Sequence, residues 1–301
     1  MSAQQTLTVR DLPDPPSGAR NLMLIVLDSL RYDSWIAAAP KHLGRIGEVQ
    51  QRYAYATWTP PSHYNLLTGL LPHSRPGGEM PAAEYFKNEF LAFGERLQVD
   101  VADIQRGLLP SLFLPTLFRS LGYHTRALVS MSVLNRHTAI NRDFESYDRM
   151  KRHNDMASML DLLEFDPRRP TFYLLNIGET HYPYAVPGDD ARNWPYLAGV
   201  HGAVRGLTAV ADEMGGPRVL STEEMNEARH RQINALSYVD GLFAELFARI
   251  PPDTYVIVTA DHGELFGEDG QFGHGPVVHE KVLEVPLVEG LVPTGYRAAL
   301  G

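Results

Sequence analysis

Cysteine is absent from the 301-residue chain, which excludes disulfides, thiolate metal ligands and cysteine nucleophiles together. Lysine is scarce, confined to Lys41, Lys87, Lys151 and Lys281. Arginine therefore carries most of the positive charge, and its planar fork suits phosphate recognition. Long apolar runs are missing too. Leu22–Leu27 and Tyr255–Ala260 fall far short of the length needed to span a bilayer. Residues 1–20 are polar and proline-containing, without the apolar core and small-residue cleavage site of a secretory leader. They read as a tail, and the expectation is a soluble, cytoplasmic protein. A formal net charge of −9 argues against nucleic-acid or anionic-membrane partners, which call for a basic field.

What is present is an alternation of strand and helix signals. NLMLIVL (Asn21–Leu27) is a continuous apolar run of the kind buried on both faces of a parallel sheet. Leu112–Leu121 reads as a helix closed by Gly122, His124–Ser130 as a strand, Lys151–Phe165 as a helix and Thr171–Ile177 as a strand. Ser221 and Glu224 fit a capping box. Beyond them Ile233, Leu236, Val239, Phe243, Leu246, Phe247 and Ile250 recur at helical spacing until Pro251 and Pro252, and Thr254–Ala260 is the next strand. The expected fold is α/β, a mainly parallel central sheet with helices on both faces. Residues 72–108 and 185–220 break the pattern and read as insertions that could roof a site.

Three buried strands run straight into acid or histidine: NLMLIVL into Asp28, TFYLLNIG into Glu179 and His181, and TYVIVTA into Asp261 and His262. In an open α/β sheet ligands gather at the carboxyl edge. One such residue is ordinary in a loop; three strands ending this way is the clustering that a metal site produces. Thr59 precedes Pro60 and Pro61, a good helix start with threonine as N-cap and proline at the first helical position. The same geometry would put its hydroxyl in the positive field of a helix N-terminus, which favours an alkoxide and a bound phosphate.

TPPSHYNLLTG (Thr59–Gly69) resembles the nucleophile motif of the alkaline phosphatase/sulfatase superfamily. ADHGELFGEDGQFGHG (Ala260–Gly275) is similar to the signature of its phosphoethanolamine transferases and lipoteichoic acid synthases. NIGETHYPY (Asn176–Tyr184) resembles their substrate-site histidine segment, and LEVPLV (Leu283–Val288) the strand that closes the motif region. The resemblance runs in order from about residue 21 to 290. It implies an alkaline phosphatase-like catalytic domain over 21–301.

Carried over residue by residue, the resemblance implies a metal held by Asp28, Thr59, Asp261 and His262, with Thr59 as nucleophile. That ligand set suits zinc or manganese, with calcium or magnesium as alternatives. His181 and His274 would hold the substrate phosphate or, with His279, a second metal; at His279 a structural histidine is the alternative. His63 is a candidate substrate contact, and Arg31 would pair either with the phosphate or with Asp33. The other histidines, His153 among them, read as surface or capping positions. The chain departs from the sulfatases where Ser29 follows Asp28 in place of a second aspartate, and where His63 replaces an arginine. The activity expected is metal-dependent hydrolysis or transfer of a small-molecule phosphoester through a phosphothreonine. Sulfate ester hydrolysis is the alternative, and a non-catalytic metal-stabilised binding protein the second.

Overall fold

In a computed structural model, which describes residues 18–69, 113–136, 138–189, 220–275 and 277–296, the apolar runs become the centre of one sheet. Strand β1 (Asn21–Leu27) is followed by helix α1 (Tyr32–Ala38), β2 (Gln50–Tyr53) and α2 (Thr59–Thr68). Next come α3 (Leu114–Ser120), β3 (His124–Val129), β4 (Ser146–Arg149), α4 (Met156–Leu160) and β5 (Thr171–Ile177). The chain continues through α5 (Thr222–Arg249), β6 (Thr254–Thr259), the short strands β7 (Leu265–Phe266) and β8 (Phe272–Gly273), α6 (Glu280–Leu283) and β9 (Glu284–Leu291).

The seven-stranded sheet has the order β2-β9-β6-β1-β5-β3-β4. β1 lies parallel to β6 and β5, and β3 parallel to β5 and β4; only β9 and β2 run antiparallel to their neighbours. Strand alternation divides the core in two. Met23, Ile25 and Leu27 of β1, with Tyr173, Leu175 and Ile177 of β5, pack with Trp35 of α1, Met156 of α4 and Phe243 of α5. Leu24 and Val26, with Phe172 and Leu174, face Leu67 of α2 and Phe118 of α3 on the other side. Both faces of these strands are therefore dry, which is why their sequences are continuously apolar.

α5 has the expected capping box, with Glu224 N donating to Ser221 Oγ and Ser221 N to Glu224 Oε2. Two expected helices are shorter in the structure. Leu112–Leu121 contributes Leu114–Ser120, and Lys151–Phe165 only Met156–Leu160. In the second case residues 151–155 are instead laid across the end of β5, where the carbonyl of His153 packs on Gly178 so tightly that an added Cβ would lie 1.9 Å from its oxygen. β2 and β4 carry no apolar run and gave no signal in the sequence. The 72–108 insertion lies outside the described residues, as do residues 190–219 of the second.

Candidate active site

β1, with its parallel neighbours β5 and β6 on either side, brings the carboxyl ends of the three strands together. Asp28, His181, Asp261 and His262 are all buried there. Asp28 Oδ2 accepts from Asn176 Nδ2 at 2.9 Å, and Thr180 Oγ1 donates to the Asp28 carbonyl at 2.8 Å. Ser29 takes a left-handed backbone, φ 60°, a conformation uncommon outside glycine. Its amide thereby donates to Asp261 Oδ1 at 3.1 Å, joined by the His262 amide at 3.0 Å.

Thr59 enters from α2. It is the first helical residue rather than the N-cap, the place taken by Trp58, so its hydroxyl is not spent on capping. Thr59 Oγ1 lies 3.4 Å from Asp28 Oδ1 and 3.4 Å from His262 Nε2. His262 Nε2 is in turn 3.4 Å from Asp261 Oδ2. Pro60 and Pro61 carry no N–H, so this helix start offers its dipole but no amide donor at those two positions.

The electrostatics of this cluster suit a cation. Burial pushes the Asp28 carboxyl up to about 7, assisted by the neighbouring Asp261 charge, and burial raises Asp261 likewise. Among the described residues no lysine or arginine pairs with either acid. Asp261 Oδ2 is buried with no hydrogen-bond partner, a costly state unless it ligates something. Ligand atoms of Asp28, Asp261 and His262 all lie within 4.8 Å of one another. The Nδ1 of His262 is engaged by the Gly263 carbonyl at 2.9 Å. A carbonyl only accepts, so the proton is on Nδ1 and Nε2 carries the lone pair, as in metal-bound histidines. Two carboxylates, an imidazole and a hydroxyl form a set that fits a divalent ion.

Two further histidines complete the cluster. The ring of His274 lies 4.1 Å from that of His262 and 5.3 Å from that of His181, centroid to centroid. Burial pushes both His181, to about 4, and His274 toward the neutral form. His181 Nδ1 bonds the Tyr182 carbonyl at 2.8 Å, and His274 Nδ1 bonds Glu264 Oε1 at 2.7 Å.

The family model described as Sulfatase matches residues 20–288. The chain belongs to the sulfatase family. A curated relative, the low-salt glycan biosynthesis sulfotransferase Agl7 of Haloferax volcanii, is 25% identical over 279 residues, covering 90% of this chain and 54% of its own length. The chain thus spans about half the length of that relative. Among solved structures, the phosphonate monoester hydrolase of Agrobacterium radiobacter superposes with a TM-score of 0.57 at 16% identity, covering 90% of this chain and 68% of that one. The zinc complex of the C-terminal periplasmic domain of EcEptC from Escherichia coli gives 0.54 at 13% identity, with 93% and 74% covered. At such identities these structures show the fold: this sulfatase-family chain has the alkaline phosphatase-like α/β architecture.

Of the other residues singled out in the sequence, His63 borders this cluster, its Nδ1 3.7 Å from Asp261 Oδ2. The guanidinium of Arg31 is engaged by Asp33 through Nε and Nη2, by Glu268 Oε1 at 2.6 Å and by the Glu264 carbonyl at 3.2 Å. Of its two readings the structure shows the Asp33 pair. His63 is fully buried behind the site, bonding the Thr59 carbonyl at 2.9 Å through Nδ1 and lying 3.5 Å from Asn176 Nδ2 through Nε2. His279 caps α6, its Nδ1 accepting from Lys281 N at 3.0 Å. His153 was read as a surface or capping residue. Its Nε2 is buried, and burial lowers the ring to about 4, with the charge of His181 adding to the shift. Asn176 and Glu264 also belong to the site and are not among its expected residues. A lone polar residue inside the apolar run TFYLLNI was the available signal for Asn176, and the D-H-G-E order was the signal for Glu264.

Proposed function

We propose that this sulfatase-family chain is a metal-dependent phosphoester hydrolase or phosphotransferase in which Thr59 is the nucleophile. The observation that carries the reading is the position of Thr59 Oγ1, at 3.4 Å from both Asp28 Oδ1 and His262 Nε2 at the start of α2. Asp28, Asp261, His262 and Thr59 would hold the ion, zinc or manganese by donor type. Bound there, it supplies positive charge that lowers the pKa of the hydroxyl and offsets charge on the phosphoryl oxygens.

The Thr59 hydroxyl gives up its proton to solvent and Oγ forms a bond to phosphorus as the bond to the leaving oxygen breaks, that oxygen taking a proton from solvent. Water or an acceptor alcohol then forms the new P–O bond, and the Thr59 Oγ–P bond breaks. The negative phosphoryl group draws a proton onto Nε2 of His181 and of His274, whose Nδ1 atoms are already committed, and these Nε2–H groups then donate to its oxygens and hold them in line.

A second reading, sulfate ester chemistry, is favoured by the Haloferax relative, which is named a sulfotransferase. Against it, the aldehyde hydrate used by sulfatases comes from cysteine or serine, and position 59 holds threonine. Zinc- or manganese-loaded protein is assayed on 4-nitrophenyl phosphate, bis(4-nitrophenyl) phosphate and 4-nitrophenyl sulfate. Intact-mass spectra during phosphoester turnover are expected to show one added phosphoryl group on the Thr59 peptide. Thr59→Ser is expected to keep measurable activity and Thr59→Ala to lose it. Fast single turnover with no adduct and inversion at phosphorus would assign the attack to water and leave Thr59 as a ligand only.

A further inference from the structure

Glu264 has no place in the reaction as described, yet it is fully buried beside the site. Both carboxylate oxygens are engaged. Oε1 lies 2.7 Å from His274 Nδ1, and Oε2 accepts from the Tyr184 hydroxyl at 3.0 Å. Its backbone is held as well. Arg31 Nη1 donates to both the Glu264 carbonyl and Glu268 Oε1, while Nε and Nη2 are tied to Asp33. Arg229 of α5 reaches Asp33 from the other side at 3.5 Å. The preceding residue is equally constrained, since an added Cβ on Gly263 would lie 2.1 Å from the Lys281 carbonyl oxygen and its amide donates to the Val282 carbonyl at 2.6 Å. A carboxylate held by the Tyr184 hydroxyl, on a backbone held by Arg31 and the Gly263 contacts, faces one ring nitrogen of a site histidine, and that histidine stands 4.1 Å, ring to ring, from His262.

We propose that Glu264 is a positioning residue for the reaction: its carboxylate accepts the Nδ1 proton of His274 and so fixes both ring orientation and tautomer. With the proton held on Nδ1, Nε2 is the lone-pair nitrogen, on the opposite side of the ring from Glu264. An acceptor at Nδ1 also makes the ring more basic toward whatever Nε2 meets. Arg31 is part of the same device. It braces the backbone that carries Glu264, which accounts for a buried arginine three residues after Asp28 whose guanidinium is taken up by Asp33, Glu268 and the Glu264 carbonyl. This inference rests on the reading of His274 as a substrate-site residue, and the test separates the two.

Glu264→Leu keeps side-chain bulk without an acceptor, and Glu264→Asp keeps the charge but withdraws it by one methylene. Glu264→Gln keeps an acceptor oxygen. With zinc-loaded protein and 4-nitrophenyl phosphate, Glu264→Leu and Glu264→Asp are expected to lose kcat by about 10- to 100-fold, the range usual for partners of site histidines. Glu264→Gln recovers part of it. Adding Glu264→Leu to His274→Ala causes no further loss. Histidine-selective nitrogen-15 spectra give the second readout: His274 is the Nδ1–H tautomer in the wild type and becomes mixed or Nε2–H in the leucine variant. Additive losses in the double variant, or unchanged kcat and tautomer in both Glu264→Leu and Glu264→Asp, would overturn the proposal. Should His274→Ala turn over normally, the substrate role of His274 falls, and the tautomer spectra alone then decide whether Glu264 orients the ring.

Discussion

Asp261 shows most clearly how single residues in this site are set against folding stability. One of its oxygens accepts from the amides of Ser29 and His262, and the other is buried with no hydrogen-bond partner, with His262 Nε2 3.4 Å and His63 Nδ1 3.7 Å away. Such an atom is unfavourable in the metal-free fold and favourable once ligated. Two opposite effects of one substitution follow. Asp261→Asn is expected to lose metal affinity by well over the ~10–100-fold typical of changes behind the ligands, read by elemental analysis after dialysis against a weak chelator. In the absence of metal the same variant is expected to melt above the wild type, because it removes a buried charge from beside Asp28. Equal metal content in variant and wild type would take Asp261 out of the ligand set. A lower metal-free melting temperature would show that its charge is already compensated.

At the scale of elements, the site depends on strand ends that are pinned by close backbone contacts. Gly178 follows β5 directly and precedes Glu179 and His181. A Cβ there would lie 1.9 Å from the His153 carbonyl oxygen and 3.1 Å from Ser130 Cβ. Backbone cannot yield as a flexible side chain can, so Gly178→Ala must separate the 151–155 segment from the end of β5. Its cost is expected to be at least the roughly 1–3 kcal/mol of an overpacked core, with turnover reduced because His181 moves. Urea unfolding and kcat measured on the same preparation check both. Wild-type values would mean that the two segments part easily. The capping box of α5 offers a calibration far from the chemistry. Ser221→Ala removes the bond to Glu224 N at 3.2 Å and is expected to cost about 1 kcal/mol with kcat unchanged. A loss of turnover there would show that the long helix communicates with the site through more than its packing.

For the whole molecule, the cluster of buried acids sets a pH dependence whose sign reverses with metal. Burial raises Asp28, Asp261, Glu179 and Glu264, each to about 7. A carboxyl whose folded pKa exceeds its unfolded value leaves the folded state holding more protons between the two. Its contribution is complete below the unfolded pKa and is lost as the pH rises from that value, 3.8 for aspartate, toward about 7. Metal-free protein is therefore expected to lose stability across that window, while saturating zinc, which binds ionised acids, stabilises progressively more. Thermal melts with EDTA and with zinc across the window test this; parallel curves would place Asp28 and Asp261 outside the metal site. The sheet centre and its order of chemistry were legible in the sequence, because strands dry on both faces must be apolar throughout and the residues that end them stand out. NLMLIVL, TFYLLNI and TYVIVT announced Asp28, His181 and Asp261-His262 without any structure. The polar strands β2 and β4 were not legible, since their pairing is supplied by neighbours rather than by their own pattern. Nor was the fate of Arg31, whose sequence allowed a phosphate or Asp33; Glu268, 237 positions away, joins Asp33 on its guanidinium only after folding. Local composition sets which strands are buried and what lies at their ends. Which carboxylate faces which histidine is decided by tertiary packing, because those contacts join segments that only the sheet brings within reach.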